Sequence, residues 1–298
     1  MLTIKELNKT YQNGIQALHE ISLTIDCGIF GLLGPNGAGK STLMRTLATL
    51  QDADSGSVEL DGVDIFQNPQ TARRWLGYLP QDFGVYPNVS AEELLDLLAV
   101  FKGFVQSRQR REMVAHQLQL VNLYEQRKQK LGTFSGGMRQ RFGIAQALLG
   151  KPKLVIVDEP MAGLDPTERI RFQNLLAEIS QDRVLILSTH IVEDVAGLCP
   201  QMAILNRGKI ITQGSPLGLT QQLQGKVWMK VMSQAEAAEA DKNWTVITSR
   251  MLQGQRYVRM LSDSSPNNGF QGVEPELNDV YFSALASKPT SLETVGAV

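Results

Sequence analysis

Gly34-Pro35-Asn36-Gly37-Ala38-Gly39-Lys40-Ser41-Thr42 fits the pattern Gly-x-x-x-x-Gly-Lys-Ser/Thr without strain. Ahead of it, Ile29-Phe30-Gly31-Leu32-Leu33 is a continuous apolar run of the kind expected for a buried parallel strand. Behind it, Leu43, Leu47 and Leu50 recur at helical spacing. A strand, a glycine-rich turn and a helix in that order make an anion cradle. Glycines let the backbone curl close to phosphate oxygens, and the helix points unpaired N–H groups and partial positive charge at the same place. On this reading Lys40 reaches the β- and γ-phosphates of a nucleotide, the Ser41 hydroxyl ligates Mg²⁺, and Thr42 donates to a phosphate oxygen.

Further along, Leu154-Val155-Ile156-Val157 forms a second apolar strand and ends in Asp158-Glu159. An acid at the carboxyl edge of an open α/β sheet stands where such sheets bind ligands. Asp158 is expected to hold Mg²⁺ through water, and Glu159 to act as general base for an attacking water. Alone, such a pair is as often a helix cap. Val184–Leu187 supplies a third strand, and Glu168–Ile179 a helix between the two. Strands alternating with helices imply a mostly parallel α/β core.

Residues 1–26 alternate in the strand manner about a turn at Gln12-Asn13-Gly14. Ser90-Ala91-Glu92-Glu93 has the form of a capping box and opens a helix through Val100. Residues 107–130 are polar and basic at helical spacing, which reads as a solvated helical face rather than a nucleic-acid site. After Gly208 the texture changes. Gly and Pro gather between 209 and 225, two strand-like segments follow at Lys226–Val231 and Arg256–Leu261, and Ser262–Pro275 reads as a loop. A boundary is expected near 215–220, with a small α+β extension beyond it and frayed residues from about 287.

The chain has 298 residues, 43% of them hydrophobic and 20% charged, which excludes wholesale disorder. Lys+Arg number 29 against Asp+Glu 30, so no strong net field draws it to nucleic acid. Two distant cysteines, Cys27 and Cys199, give neither a disulfide framework nor metal-ligand spacing and fit a reducing cytoplasm. No apolar run reaches the ~18 residues of a membrane span, so any membrane role is expected to come through a partner.

Thr133-Phe134-Ser135-Gly136-Gly137-Met138, shortly before the acidic strand, resembles the signature motif of ATP-binding cassette (ABC) ATPases. The resemblance covers about residues 1–215 and extends to other motifs in order. Tyr11 matches the adenine-stacking aromatic, Gln81 the glutamine loop, Gly163-Leu164-Asp165-Pro166 the D-loop and His190 the switch histidine. The signature of that family usually reads Leu-Ser-Gly-Gly-Gln. Phe134 and Met138 depart from it, while the Ser-Gly-Gly centre is kept. The fold implied is a P-loop NTPase core of ABC type, with an N-terminal antiparallel β subdomain and a helical subdomain at about 84–150. The implied domains are 1–216 for the ATPase and 217–298 for the extension.

The resemblance also implies roles. Gln81 senses Mg²⁺ or the attacking water, and His190 contacts the γ-phosphate. Asp165 contacts an opposite subunit, while Ser135, Gly136 and Gly137 form a second anion nest. Two nests far apart on one chain require a head-to-tail pair, each ATP lying between one P-loop and the other signature. The function implied is the ATP-hydrolysing subunit of a transporter, working with a separate membrane permease and a second ATPase subunit, an identical copy or a paralogue with a homodimer favoured, on the cytoplasmic face of the membrane. Phe83–Val89 is expected to form the permease groove. Val273–Phe282 loosely resembles the C-terminal ending of exporter ATPases, which leans the reading towards export. The alternative is a soluble ABC ATPase acting on nucleic acid or ribosomes. Its usual second cassette or coiled-coil insertion has no counterpart among these residues, and no nucleic-acid partner is expected. A P-loop kinase fits less well, because of the signature and the histidine.

Overall fold

The computed structural model describes residues 1–233, 236, 245–266 and 269–286. They fall into two compact units, divided between Ile210 and Ile211. The first begins with β1 (Leu2–Thr10), β2 (Gln16–Ile25) and β3 (Gly28–Leu33), which leads through the glycine-rich turn into α1 (Lys40–Leu47). Then come β4 (Ser55–Leu60), β5 (Val63–Asp64), α2 (Pro69–Trp75), β6 (Leu76–Leu79), α3 (Ala91–Phe101), α4 (Ser107–Leu120) and α5 (Gly136–Ala147). The unit closes with β7 (Leu154–Asp158), α6 (Pro166–Ile179), β8 (Val184–Thr189), α7 (Val192–Leu198) and β9 (Gln201–Asn206). The division falls within β10 (Lys209–Gly214).

The central sheet runs β10-β9-β3-β8-β7-β6. Its β9-β3, β3-β8, β8-β7 and β7-β6 pairings are all parallel. The continuous apolar runs are explained by this. Every residue of β7 and β8 is buried, because helices cover both faces of a parallel sheet. A second sheet, β2-β1-β4-β5, is antiparallel and alternates, with one face inward. Its inward residues Leu2, Ile4 and Leu18 join Leu43 and Leu47 of α1 and Ile156 and Ile186 of the parallel sheet in one core. Full burial of such a side chain stabilises the fold by roughly 1.5–3 kcal/mol.

Between β6 and β7 the chain is helical. Ser90 and Glu93 form the capping box: the Glu93 N–H donates to Ser90 Oγ at 3.3 Å, and the Ser90 N–H donates to Glu93 Oε2 at 2.9 Å. The helical reading of 107–130 needs correction. Helix α4 stops at Leu120, and turns occupy the rest. Arg110 is no solvated face either, since it meets Asp96 at 2.9 Å and its side chain is mostly buried. The ring of Phe134, just before α5, meets that of Phe142 in α5 edge to face, 6.4 Å between centroids, so Phe134 of the altered signature is a core residue.

The second unit holds α8 (Pro216–Gln221), β11 (Val227–Met232), β12 (Thr245–Leu252), β13 (Gln255–Leu261), β14 (Gln271–Gly272) and α9 (Leu277–Ala286). Its sheet order is β12-β13-β11-β14, with antiparallel pairs. Three of its features escape the sequence reading: β10 inside the Gly/Pro-rich stretch, the whole of β12, and β14 inside the expected loop. Arg259 grips the buried Asp279 of α9 through two bonds, Nε to Oδ1 at 2.9 Å and Nη2 to Oδ2 at 2.6 Å. The expected fraying from about 287 lies outside the described residues.

Candidate functional site

The turn between β3 and α1 is shaped by glycines that cannot be replaced freely. Gly39 has φ +107°, and a Cβ there would stand 2.5 Å from the Ala17 carbonyl oxygen. It precedes α1 without any side-chain cap, so the N–H groups of the first turn are not claimed by a side chain. Lys40 is buried. Its Nζ donates to the carbonyls of Gly34 at 2.7 Å and Pro35 at 3.2 Å. Burial lowers the Lys40 pKa below the ordinary lysine value, against the opposing pull of Glu159 and Asp158.

The acidic strand brings its two carboxylates to this place in different ways. Asp158 ends β7 opposite Ser188 of β8. Asp158 Oδ1 and Ser188 Oγ are buried and meet no hydrogen-bond partner. A lone carboxylate oxygen near an ammonium group and a phosphate cradle suits a hydrated divalent cation, which binds through one or two carboxylates plus phosphates. Among the described residues no cluster of three or more His, Cys, Asp or Glu is placed to hold a metal alone. Glu159 follows with φ +49°, a left-handed conformation, and its N–H donates to the Ser188 carbonyl at 2.8 Å. That turn aims the side chain at two partners. Oε1 lies 3.7 Å from Lys40 Nζ, and Oε2 lies 2.8 Å from His190 Nδ1.

A cavity of about 600 Å³ opens over the P-loop. Tyr11, Pro35, Asn36, Gly37, Gly39, Lys40, Ser41, Thr42, Gln81 and Glu159 line it, so residues from four separate motifs meet. Gly34 and Ala38 shape the loop from behind without lining it. Asp158 acts on the site through its charge, which opposes the lowering of the Lys40 pKa, and His190 reaches it through Glu159. The Tyr11 hydroxyl meets Thr42 Oγ1 at 3.0 Å, and its ring is partly exposed. His19 and Arg207 also line the cavity. No sequence signal marks them: His19 lies in an ordinary alternating strand, and Arg207 sits in the turn after β9. A second cavity, about 770 Å³ between α3 and α4, shares no residue with this one.

Ser135, Gly136, Gly137 and Asp165 do not line the P-loop cavity. Ser135 caps α5, its Oγ accepting the Met138 N–H at 3.2 Å. Asp165 caps α6 by accepting the Glu168 N–H at 2.9 Å. The two helices are joined there. Glu168 lies 3.5 Å from Arg141 of α5 and 2.8 Å from Arg171, and a Cβ on Gly137 would stand 2.6 Å from its Oε2. Phe83, two residues past Gln81, packs against Gly143 of α5, where a Cβ would lie 2.8 Å from its ring. The expected permease groove at Phe83–Val89 is therefore only partly open, with Tyr86 strongly exposed and Phe83 half-buried. Other exposed apolar groups stand elsewhere, Leu50 after α1 and Phe101 at the end of α3, beside a groove of about 300 Å³.

Known proteins resemble this chain over most of its length. The family model described as ABC transporter matches residues 18–162. The uncharacterized ABC transporter ATP-binding protein YxlF of Bacillus subtilis is 37% identical over 231 residues, covering 76% of this chain and 75% of that protein. The probable multidrug ABC transporter ATP-binding protein YbhF of Escherichia coli is 30% identical across 100% of this chain, which spans about half, 54%, of that protein's length. Among solved structures, the dimeric ATP-binding cassette MJ0796 in a post-hydrolysis state with ADP and Pi has a TM-score of 0.62 at 25% identity. It covers 72% of this chain and 98% of the cassette.

Proposed function

The chain belongs to the family of ABC transporter ATP-binding proteins, and from that premise we propose how its residues divide the work. Its activity is ATP hydrolysis coupled to transport. Proteins of this kind dimerise and act with membrane permeases. On the proposed reading, residues 1–216 form the ATPase domain and 217–298 an appended extension.

Tyr11 stacks on adenine, and the loop from Gly34 to Gly39 wraps the phosphates with its amides. Lys40 neutralises the β- and γ-phosphate oxygens, giving up its carbonyl partners for charged ones, and Thr42 donates to a phosphate oxygen. Ser41 and Gln81, with Asp158 through water, would hold Mg²⁺, which would supply positive charge to offset that of the phosphates. Glu159 takes the proton of the attacking water. His190, bonded to Glu159 through Nδ1, orients that water and the γ-phosphate. The single observation that carries this assignment is the placement of Glu159. One carboxylate oxygen faces Lys40 and the other faces His190, at the mouth of the phosphate cradle.

The signature nest of Ser135, Gly136 and Gly137, capping a helix away from that cavity, receives the γ-phosphate bound to a second, identical subunit, and Asp165 meets the same partner. No helix among the described residues is long and apolar enough to cross a membrane, so substrate passes through the permease, on whose cytoplasmic face the subunit sits. Tyr86 and the groove beside Leu50 and Phe101 offer the permease its apolar contact. The resemblance to a multidrug relative across the whole chain supports export.

Glu159→Gln tests the chemistry. The variant is expected to bind ATP and to accumulate as a dimer, while phosphate release slows by about 10²–10⁴-fold. Turnover unchanged from wild type would remove Glu159 as the base.

A further inference from the structure

Asp194, in the first turn of α7, is a carboxylate with 2% exposure, and the phosphate chemistry described above does not use it. Its Oδ1 forms an ion pair with Arg169 Nη2 of α6. Its Oδ2 accepts the Thr189 hydroxyl at 3.2 Å. Thr189 Oγ1 in turn accepts the Ile191 N–H at 3.0 Å, so this one hydroxyl spans the residues on either side of His190. The Thr189 carbonyl also accepts the Gly34 N–H of the P-loop at 3.3 Å. At the other end, the Arg169 N–H donates to the carbonyl of Asp165 at 2.9 Å, one helical turn from the α6 cap.

A buried carboxylate requires a counter-charge, and here that charge arrives from a different helix. Arg169 therefore fixes the orientation of Asp194. Asp194 orients the Thr189 hydroxyl, and that hydroxyl holds the peptide carrying His190. The imidazole then meets Glu159 at 2.8 Å. The Asp194 charge also reaches Cys199, whose thiol is pushed up to about 12, chiefly by burial and then by this carboxylate.

We infer that Arg169 and Asp194 are positioning residues for His190, linking its placement to the helix that Asp165 opens. The proposal rests on the reading of His190 given above and adds the elements that aim it. Neither residue touches the nucleotide cavity.

The experiment compares full-length Asp194→Asn, Arg169→Met and Arg169→Lys, each in wild-type and His190→Ala backgrounds. It measures steady-state phosphate release and ATP affinity by calorimetry. Asp194→Asn and Arg169→Met are expected to lower kcat by ~10-fold or more while KM and ATP affinity stay within about threefold. Arg169→Lys, which keeps a cation on Asp194, is expected to recover most of that loss. In the His190→Ala background neither variant is expected to lower kcat further, because its target is gone. A kcat within about threefold of wild type for both variants overturns the relay. So does an ATP affinity that falls in step with kcat, or an undiminished loss in the His190→Ala background. If His190→Ala itself leaves kcat unchanged, the role of the histidine falls and the proposal with it, an outcome distinct from silence of the Asp194 and Arg169 variants alone. Should Asp194→Asn fail to fold, Arg169→Met carries the test from the partly exposed end of the pair.

Discussion

Replacing Gly39 with alanine tests whether the phosphate cradle is held by backbone shape rather than by side chains. At φ +107° an alanine carries the left-handed penalty of about 1–2 kcal/mol. Its Cβ would also stand 2.5 Å from the Ala17 carbonyl oxygen. Ala17 lies in β2, where the adjacent Leu18 is paired with Lys9, so the carbonyl has little room to retreat. Relief of roughly 1 Å must come from the loop, at an overpacking cost of typically ~1–3 kcal/mol. The total is about 2–5 kcal/mol. It can appear as lost stability, at about 2–4 °C of midpoint per kcal/mol in a unit of this size, or as lost affinity, at tenfold per ~1.4 kcal/mol.

Calorimetry with ATP and Mg²⁺, together with thermal unfolding without nucleotide, reads both. Their sum should reach at least ~2 kcal/mol. Gly37→Ala is the internal control. With φ +80° and nothing within 4 Å of its Cβ, it should show only the conformational penalty. An affinity within about threefold of wild type and a midpoint within ~1 °C for Gly39→Ala would refute the argument from shape.

Ser135→Arg puts a bulky cation at the start of α5, outside the P-loop cavity. Single-chain ATP binding should persist while the ATP-dependent dimer disappears from size-exclusion chromatography, and a dimer that forms normally argues against a shared nucleotide site. Lys102 donates to the carbonyls of Leu76 at 3.0 Å and Leu149 at 2.8 Å, and burial lowers its pKa to about 8. The folded protein therefore loses this proton before the unfolded chain does. The cost of burying the charge is present in full below pH 8 and is relieved as pH rises towards 10.5, so wild type should gain stability over Lys102→Met across that window, on the order of 3 kcal/mol. Denaturant unfolding of both proteins at several pH values measures the difference, and a constant difference contradicts the assignment.

What the sequence disclosed was local or strongly patterned. The P-loop is contiguous, the buried parallel strands are unbroken apolar runs, and the Ser90–Glu93 box spans one helical turn. The α/β fold class follows from these and agrees with the observed sheet. The features that escaped depend on tertiary partners. Strand β12 carries Ser249, Arg250, Met251 and Leu252 all exposed, which leaves no alternation to read. Phe101, the last residue of α3, is 76% exposed, which its apolar character does not announce. Arg169 and Asp194 stand on separate helices, and only folding brings their charges together.

Glu159 occupies a backbone conformation that glycine or asparagine would adopt more readily. The polypeptide is therefore held in a twist worth ~1 kcal/mol or more at the very residue given the proton-abstracting task. Glycine at this position would relieve the twist, but it would remove the one carboxylate that faces both Lys40 and His190.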